Sequence, residues 1–518
     1  MRATSIGHAG ILFETGGGSV LCDPWFEPAF LGSWFVFPRN DQLDPDLLAR
    51  IEHADFLYVS HIHGDHLDEP WLRVHLRRDI PILLPPFPTD ELRRILSALG
   101  FETFIPLANA ELTEIAPGLS VAIHVETSIT DGPGGDSALV VVADGAVVVD
   151  QNDCRTHDLD ALAAHGAVDG HFLQHSGAIW YPMVYEETPE RMRELVDAKV
   201  DSQLTRALRY VEAIDAAVVV PSAGPPCFLD PELFGLNVID GDELSIFPDQ
   251  RAFLDRLSAA GRSGVLNIPG TSIDFTPNGA VVTHPMPEAD VRAIFDDKRA
   301  TLEQYQRDWA PWLDQHRRSW HAPTDDLVAT LQQWWQPLLA MAPTLCAAVG
   351  TGVLLRLGDL DVLIDFPVAE VREWHDEPFG YRFEIQRELV ETVVAARAVD
   401  WSNALFLSAR FRAWREGPFN EYVYNFFKSL SVERMERTEA EAVAKAAAAS
   451  ASRGDDEEIE LDGWIVERWC PHRRADLTVF GECDGTTLTC TLHGWQFDLT
   501  TGDCLTATDR RLRVRPAD

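Results

Sequence analysis

The sequence predicts an α/β protein of several domains: a layered α/β domain first, a mixed helical and α/β region next, and a small all-β domain last. Three observations predict this order. Apolar runs alternate with amphipathic stretches to about residue 285, Trp-rich helical stretches begin at about 286, and residues 459–518 are rich in β-formers and Gly/Asp turns. A chain of 518 residues is also too long for a single core. We therefore expect domains at 1–285, 286–437 and 459–518, with a linker at 438–458.

In the N-terminal region, strands and helices alternate in a way that predicts sheets covered by helices. The predicted helices are TDELRRILSALG and PERMRELVDAKVDSQLTRALRYVEAI, and the predicted buried strands are SVLCD, DFLYVS, IPILLP, SVAIHV, SALVVVA and AVVVD. In the middle region, the aromatic residues of LVATLQQWWQPLLAM predict a packing face, and TGVLLRL and LDVLIDF predict strands joined by a Gly-Asp turn. RTEAEAVAKAAAAS favours helix, whereas SRGDDEEIE predicts a flexible, solvated linker.

Charge and composition exclude several classes of protein. The formal net charge of −39 argues against nucleic acid or an anionic membrane surface as a main partner. The N-terminus MRATSIGHAGILFETGGG lacks the apolar segment of a signal peptide, and no apolar run approaches the ~18 residues of a membrane span. The eight cysteines do not form a disulfide framework. We therefore expect a cytoplasmic protein.

Two loops near the C-terminus each offer one cysteine and one histidine. Cys470-Pro-His472 is followed, after seventeen residues, by Cys490-Thr-Leu-His493. A structural zinc site is one interpretation, since two Cys and two His suit tetrahedral zinc. Zinc knuckles more often pair like ligands, as in Cys-x-x-Cys. The order found here fits a cluster in which two cysteines hold one iron and two histidines hold the other.

This stretch closely resembles the Rieske [2Fe-2S] domain of oxygenases and their ferredoxins. Respiratory Rieske domains carry two further cysteines in the loops, but here the other nearby cysteines, Cys483 and Cys504, lie outside the loops. The resemblance implies a bound [2Fe-2S] cluster that passes single electrons. The implied cluster ligands are Cys470, His472, Cys490 and His493.

A second metal pattern lies near the N-terminus, where SHIHGDHLD directly follows the apolar run DFLYV. His61, His63, Asp65 and His66 stand within six residues, and a loop at a strand end can direct them at one metal or at two neighbouring metals. The pattern resembles the metallo-β-lactamase fold, an αββα sandwich with a mono- or dinuclear site. SIGHAGILFETGGGSVLCDPW, which contains His8, extends the resemblance to the branch that includes L-ascorbate-6-phosphate lactonase.

The resemblance implies further ligands later in the chain. His124 in SVAIHVETS is the candidate third histidine, although a hydrogen-bonded core residue is an equal alternative. AVVVDQNDC offers Asp150 and Asp153, and we prefer Asp153 because a polar step normally separates the strand from the ligand. The final histidine of the fold is absent, since its place reads PSAGP. His175 could reach the pocket instead, or could bond only to the backbone of its own loop.

The combination of the two modules resembles the CMP-N-acetylneuraminate hydroxylase (monooxygenase) family. QNDC, HSGAIWYP and VVPSAGPPCF are similar to stretches of that family, including the missing late histidine. In that family the Rieske part comes first, whereas here it comes last, so the substrate is not carried over. The resemblance implies catalytic roles for residues of the N-terminal site, for which the candidates are His8, Asp65 and His175.

We therefore expect a Rieske-dependent non-haem iron oxygenase that hydroxylates or N-oxygenates a small polar metabolite. It would use O₂, iron in a mono- or dinuclear N-terminal site, and electrons from a separate reductase or ferredoxin. The main alternative is a zinc hydrolase with a Rieske domain as a redox or regulatory module. A third interpretation is an electron-transfer or scaffold protein with an inactive N-terminal domain, which the full set of ligands in the first loop disfavours.

Overall fold

The structure, a computed structural model, describes residues 1–517 except 130, 131, 133, 277, 451–456, 508 and 509, and of residues 448–450 it describes only the backbone. The first part of the N-terminal region alternates short strands with helices that begin at acidic residues. Its elements are β1 (Arg2–Gly7), β2 (Gly10–Thr15), β3 (Gly18–Cys22), α1 (Pro45–Glu52), β4 (Phe56–Tyr58), α2 (Glu69–His75), β5 (Ile82–Leu84), α3 (Glu91–Ala98) and β6 (Phe104–Pro106).

The second part of the N-terminal region contains longer strands, a long helix and a 3₁₀ turn at Phe234–Leu236. Its elements are β7 (Thr113–Ala116), β8 (Leu119–Glu126), β9 (Asp136–Ala143), β10 (Ala146–Asn152), α4 (Leu159–Ala163), β11 (Gly170–Gln174), α5 (Pro189–Ile214), β12 (Val218–Ser222), α6 (Gln250–Ala259), β13 (Ser272–Thr276) and β14 (Gly279–Thr283). The predicted strands and both predicted helices are present at these positions.

Two sheets pack face to face in this region. One has the order β14-β13-β1-β2-β3-β4-β5-β6 and the other β12-β11-β10-β9-β8-β7. Phe13 and Val20 of the first sheet pack against Ile123, Val141 and Val148 of the second, so the apolar faces of both sheets are buried between them. Helices α1–α3 cover the outer face of the first sheet, and α4–α6 cover that of the second. The predicted αββα sandwich is confirmed.

The middle region is mixed α/β, as predicted, with 3₁₀ turns at Phe366–Val368 and Phe406–Ser408. Its sheet has the order β17-β16-β15-β18-β19, and Trp335 packs edge-on against Trp401 in the core beside it. The elements are α7 (Glu288–Asp296), α8 (Lys298–Arg318), α9 (Leu327–Met341), α10 (Pro343–Val349), β15 (Gly352–Arg356), β16 (Asp361–Asp365), β17 (Glu370–Glu373), β18 (Tyr381–Ile385), α11 (Arg387–Ala395), α12 (Trp401–Ala404), β19 (Phe411–Arg415), α13 (Glu421–Lys428) and α14 (Val432–Ser450).

The segment predicted as a linker begins as part of a helix. Helix α14 continues to Ser450, and Glu439 on it accepts hydrogen bonds from the backbone N–H groups of Thr344 and Leu345 at the start of α10. The Ala-rich stretch is therefore helical, in agreement with its composition. Residues 451–456, where the solvated linker is predicted, lie outside the described residues.

The C-terminal region is a small β domain with one short helix. Its sheets have the orders β20-β21-β25 and β22-β23-β24. Its elements are β20 (Glu458–Leu461), β21 (Trp464–Glu467), α15 (Leu477–Phe480), β22 (Gly481–Asp484), β23 (Thr487–Cys490), β24 (Trp495–Asp498) and β25 (Val514–Pro516). The domain packs on α5, where Tyr210 contacts Phe480 edge-on at 5.7 Å between ring centroids. Among the described helices, none combines the length and the apolar character that a bilayer crossing requires.

Candidate metal centres

The N-terminal metal loop is organised around a buried aspartate. Asp23 follows β3, and its carboxylate accepts hydrogen bonds from the backbone N–H of Ser60 at 2.8 Å and from the Ser60 hydroxyl at 2.6 Å. The same carboxylate lies 2.7 Å from Nδ1 of His66. Because a carboxylate at Nδ1 fixes the proton on that nitrogen, the ring presents Nε2 as a free ligand atom.

The metal loop and its neighbours form two adjacent groups of potential ligands, His61 with His63 and Asp153, and His8 with Asp65 and His66. In the first group, His61 Nε2 lies 2.7 Å from His63 Nδ1. In the second, His8 Nε2 lies 3.1 Å from an Asp65 oxygen. The groups meet where His66 Nε2 approaches Asp153 Oδ1 at 3.5 Å.

The ligand atoms in these groups fit a bound metal. His66 Nε2, Asp65 Oδ1 and Asp153 Oδ1 are buried, and none has a hydrogen-bond partner within the described part of the chain. Buried polar atoms normally have hydrogen-bond partners. Atoms that lack such a partner and converge on a small volume are therefore suited to bind a metal. Imidazole and carboxylate together suit iron as well as zinc.

The electrostatics favour the protonation states that metal binding requires at three of the ligands. His66 is the exception, because burial lowers its pKa but Asp153, Asp65 and Asp23 outweigh burial and raise that pKa well above its usual value. Burial, reinforced by the charge of His66, lowers the pKa of His61 to about 4. Burial also lowers the pKa of His63 well below its usual value. For Asp65, burial opposes ionisation, but His66 and His8 outweigh it and lower the pKa to about 2. At neutral pH, therefore, His61 and His63 are neutral and Asp65 is ionised, as ligands must be.

His8 stands beside the place where the fold's late histidine is missing. Strand β12 ends at Ser222, and the backbone N–H of the next residue, Ala223, donates a 3.0 Å hydrogen bond to the carbonyl oxygen of His8. The His8 ring packs edge-on against Trp25, with 4.9 Å between ring centroids, which aims it at Asp65. His8, from the start of the chain, thus joins Asp65 and His66 beside the position of the missing late histidine. Ala223, which stands at that position, has no side-chain ligand atom.

The remaining predicted residues are not all brought to these groups. His124 lies on the outer face of β8, with its Nε2 3.0 Å from Nε2 of His165. Its strand neighbours Val121 and Ile123 face the other sheet, so alternation turns His124 away from the metal loop. His175 is fully buried and stacks on Phe253 at 6.0 Å, outside both groups.

Sequence reasoning missed two carboxylates that support the metal loop. Asp23 lies in the stretch that carried the family resemblance, so its position at a strand end could have identified it. Asp136 begins β9, and its Oδ1 lies 3.3 Å from Nδ1 of His61. Nothing in the local sequence of Asp136 distinguishes it, because its role depends on where β9 begins relative to the metal loop. Asp150, the alternative to Asp153, lies outside both groups.

The C-terminal loops bring the four predicted cluster ligands together. A hydrogen bond between the two thiols, aided by the backbone N–H groups of Leu492 and His493, lowers the pKa of Cys490. The rings of His472 and His493 lie 5.0 Å apart. Nδ1 of His472 is buried without a hydrogen-bond partner in the described part of the chain. These residues fit a Rieske cluster, since thiolate sulfurs and free imidazole nitrogens are its ligands.

Each cluster histidine contacts another region of the same chain. His472 stacks on Trp495, with 3.8 Å between ring centroids, and its Nε2 lies 3.8 Å from the carboxylate of Glu421 on α13. His493 Nε2 lies 3.2 Å from the guanidinium of Arg473, which in turn lies 3.2 Å from the carboxylate of Glu126 at the end of β8. The cluster loops therefore sit at a junction with both the N-terminal and the middle regions.

Comparisons with known families identify two parts of the chain. Residues 451–514 match the Rieske [2Fe-2S] domain. Residues 327–444 match the Rv3818-like, SCP2-like domain, which the sequence analysis did not identify. The protein is thus a Rieske [2Fe-2S] iron–sulfur protein, and the predicted Rieske domain is confirmed.

The particular family is shown by relatives of nearly the same length. The chain is 45% identical over 523 residues to the protein named as Rieske 2Fe-2S iron-sulfur protein Rv3818 of Mycobacterium tuberculosis (strain ATCC 25618 / H37Rv), covering 99% of both chains. It is also 45% identical to a protein of the same description from Mycolicibacterium smegmatis, covering 99% of this chain and 100% of that one. The chain belongs to this family of Rieske iron–sulfur proteins.

More distant similarity covers the N-terminal region. The cytidine monophosphate-N-acetylneuraminic acid hydroxylase of Danio rerio is 28% identical over 234 residues, which are 43% of this chain and 37% of that protein. Among solved structures, the metallo hydrolase Igni18 of Ignicoccus hospitalis is similar with a TM-score of 0.35 and 17% identity, over 55% of this chain and 99% of that one. The metallo-beta-lactamase fold protein YhfI of Bacillus subtilis has a TM-score of 0.33 and 12% identity, over 52% and 97%.

Proposed function

We propose that the chain is a Rieske-dependent non-haem iron oxygenase that hydroxylates or N-oxygenates a small polar metabolite. One observation carries the proposal, namely that side-chain contacts and one cross-strand backbone pair link the two ligand sets. Arg473 contacts both His493 and Glu126 at 3.2 Å. Glu126 pairs with Asp136 across β8 and β9, and Asp136 lies 3.3 Å from His61. A hydrolase needs no such connection to a one-electron carrier.

The residues of the N-terminal site have separable tasks under this proposal. When bound, the [2Fe-2S] cluster supplies single electrons, and an N-terminal iron supplies the chemistry of dioxygen reduction. His61, His63 and Asp153 hold the metal position on one side, and His8, Asp65 and His66 hold the one beside it. One Asp65 oxygen faces His8 at 3.1 Å, while the other is buried without a partner in the described residues and would bind the metal.

The similarity to CMP-N-acetylneuraminic acid hydroxylases supports an oxidative reaction, because that name describes a hydroxylase and the similar part lies in the N-terminal region. The separate reductase or ferredoxin follows from the sequence, which offers no convincing nicotinamide-binding motif. The proposed reaction is either the hydroxylation or the N-oxygenation of a small polar metabolite.

A zinc hydrolase with a Rieske regulatory domain is the second candidate. Two adjacent groups of three ligands favour it, since this arrangement can hold the two metal ions that many hydrolases use. Metal analysis and EPR of anaerobically purified protein separate the two candidates. The oxygenase proposal requires about two irons with a Rieske signal plus further iron in each chain. About two irons with stoichiometric zinc would instead support the hydrolase.

A further inference from the structure

The buried face of α5 carries a run of polar residues that the N-terminal site does not use. Lys199, Gln203 and Arg206 are spaced by four and then three residues, so they share one face of the helix. We call them the α5 polar face. Gln203 is only 2% exposed and Arg206 only 4%, among apolar neighbours such as Val196 and Ala207 on the same face. Burying polar groups in an apolar face is costly unless they have partners.

Several polar atoms next to this face have no partner in the described part of the chain. Both polar atoms of Gln203 are buried without a hydrogen bond, as are the hydroxyls of Ser176 and Ser222. Ser176 follows the end of β11, and Ser222 ends the neighbouring strand β12. Gln203 packs directly against Gly177, where a Cβ would stand 2.0 Å from its Nε2. These unsatisfied donors and acceptors therefore lie close together, at strand ends where α/β proteins bind ligands.

Positive charge is concentrated at the same place. Lys199 has no ion-pair partner among the residues described here. The charges that act on it belong to Arg155 and Arg206, and together with burial, which contributes most, they lower the pKa of Lys199 to about 7. In a chain of net charge −39, two guanidinium groups beside a lysine whose charged form is disfavoured suit an anionic ligand, because a bound anion would restore the charged form of Lys199.

The α5 polar face has a neighbouring residue near each metal centre. Arg155 follows the metal-group residue Asp153 by two positions, so its backbone is within about 8 Å of that ligand. Towards the Rieske domain, Ser202 of α5 approaches Gly494 of the cluster loop, where a Cβ would stand 3.4 Å from the Ser202 hydroxyl. The α5 polar face is thus flanked by residues that adjoin both ligand sets.

We propose that the α5 polar face, together with Arg155 and Ser176, binds the anionic group of the substrate, a carboxylate or a phosphate. The site is distinct from both ligand sets. Its assignment to the substrate rests on the proposed oxygenase function, whereas anion binding itself does not. The ligand class follows from the two guanidinium groups and from Lys199, which an anion would hold in its charged form, and the hydroxyl and amide groups supply further hydrogen bonds to the oxygens of the ligand.

Isothermal titration of the full-length, metal-loaded protein with inorganic phosphate and, separately, with acetate tests the site. We expect the wild type to bind one of these anions, and the tighter binder identifies the group. Lys199→Gln should weaken that binding by about tenfold or more, because it removes a charge-assisted hydrogen bond. Lys199→Arg, which keeps the charge, should retain most of the affinity. Melting temperatures of both variants confirm that they fold.

Arg191→Gln is the matched control. It removes one positive charge from the same helix at a side chain that is 54% exposed, and its affinity should match that of the wild type. The proposal is overturned if the wild type binds neither anion, or if Lys199→Gln binds as tightly as Arg191→Gln.

The titration involves no turnover, so its outcome is separate from that of the oxygenase proposal. A protein that contains zinc instead of iron in the N-terminal site can still show the loss of anion binding in Lys199→Gln. Conversely, a protein with the expected iron content can show no binding of either anion in the titration. An anion bound directly to the N-terminal metal would be insensitive to Lys199, and that result counts against the site.

Discussion

At the scale of single residues, the N-terminal site depends on which atoms are left free. The carboxylate of Asp23 contacts Nδ1 of His66 and accepts hydrogen bonds from the backbone N–H and the hydroxyl of Ser60. These groups therefore have a hydrogen-bond partner other than the metal. His66 Nε2 is left buried without a partner among the described residues. In the middle region, the guanidinium of Arg410 lies 2.7 Å from the buried carboxylate of Asp230 and over the ring of Trp320.

We expect His61→Ala to lose the N-terminal metal, with its affinity for that metal falling by more than ~100-fold. Loss of a contact outside the ligand set can weaken metal binding by up to ~100-fold, and loss of a direct ligand should weaken it more. Turnover should be lost with it. Metal content, visible absorption and EPR measure the change, and the Rieske signals should persist. His53→Ala is the control, since that ring is exposed and lies 2.7 Å from the backbone carbonyl oxygen of Ala49. Retention of full activity and metal by His61→Ala would show that this loop is not the catalytic site.

Buried His171 predicts a loss of stability in acid. Its ring is fully buried, lies 2.9 Å from the side-chain oxygen of Gln151, and burial lowers its pKa to about 3. In the unfolded chain this histidine binds a proton near pH 6.5, whereas in the folded chain it does so only near pH 3. The contribution of neutral His171 to the free energy of unfolding is therefore fully present above pH 6.5 and decreases as the pH drops towards 3. Between pH 7.5 and pH 5 the loss is about 2 kcal/mol.

The change in melting temperature over that pH range measures this effect. His171→Gln keeps an amide donor for Gln151. We expect its melting temperature to fall by fewer degrees between pH 7.5 and pH 5 than that of the wild type. A difference of about 4–8 °C corresponds to 2 kcal/mol in a domain of this size. Equal losses in the two proteins would mean that His171 is not the group that titrates.

At the scale of elements, α5 connects the parts of the site. Its 26 residues span about 39 Å, so one helix can contact the ends of β11 and β12 and also support the Rieske domain. Near its end, Arg209 pairs with Glu482 of β22 at 2.6 Å. The cluster loops are fixed from a second direction by the contact between Arg473 and Glu126 at the end of β8. Elements of the N-terminal region therefore hold the cluster loops on one side.

We expect Arg473→Gln to lower the reduction potential of the cluster. Arg473 lies 3.2 Å from His493, and its positive charge favours the reduced state, which has gained an electron. Loss of about 1 kcal/mol of this interaction corresponds to on the order of 40 mV for a one-electron couple. EPR-monitored redox titration measures the shift.

The neighbouring arginine provides the control for this measurement. The guanidinium of Arg474 lies over the Trp469 ring at 5.5 Å. Arg474→Gln removes the same charge from the same loop, and its potential should stay closer to that of the wild type. Identical shifts in the two variants would indicate a general charge effect and no specific role for Arg473.

At the scale of the whole molecule, the regions share their hydrophobic cores. Trp25 and Trp34 of the N-terminal region belong to the same buried cluster as Trp335 of the middle region. Tyr210 of α5 and Phe480 of the Rieske domain belong to another. Glu421 of the middle region pairs with Arg510 of the Rieske domain at 2.9 Å. The cluster loops are thus held at one position by the same chain that contains the N-terminal site.

Because both ligand sets and the residues between them belong to one chain, we expect electron transfer to be intramolecular. After photoreduction of the cluster, the first-order rate constant of its reoxidation by dioxygen should not change over an about tenfold dilution of the protein. Mixing His61→Ala with Cys490→Ser should likewise fail to restore the wild-type rate. A rate constant that rises with protein concentration, or recovery in the mixture, would indicate transfer between chains.

The sequence by itself determined the αββα layers, the mixed α/β middle region and the Rieske domain, and it offered the candidate ligands of both short loops. These features are local: strand alternation is visible over a few residues, and the residues 61–66 and the two Cys-x-His-type loops carry their ligands within single turns. The SCP2-like character of the middle region was not predicted, since its strands and helices contain no comparable motif.

Only the tertiary structure decided which distant residues join the loops. His124 was a candidate ligand from its sequence, but the register of β8 directs it to the outer face, while His8 comes to Asp65 through the contact between its carbonyl and Ala223. Arg473 and Glu126 are 347 positions apart, and only the docking of the Rieske domain brings them together. The physical reason is that the direction of a side chain depends on strand register and domain packing, which single motifs do not encode.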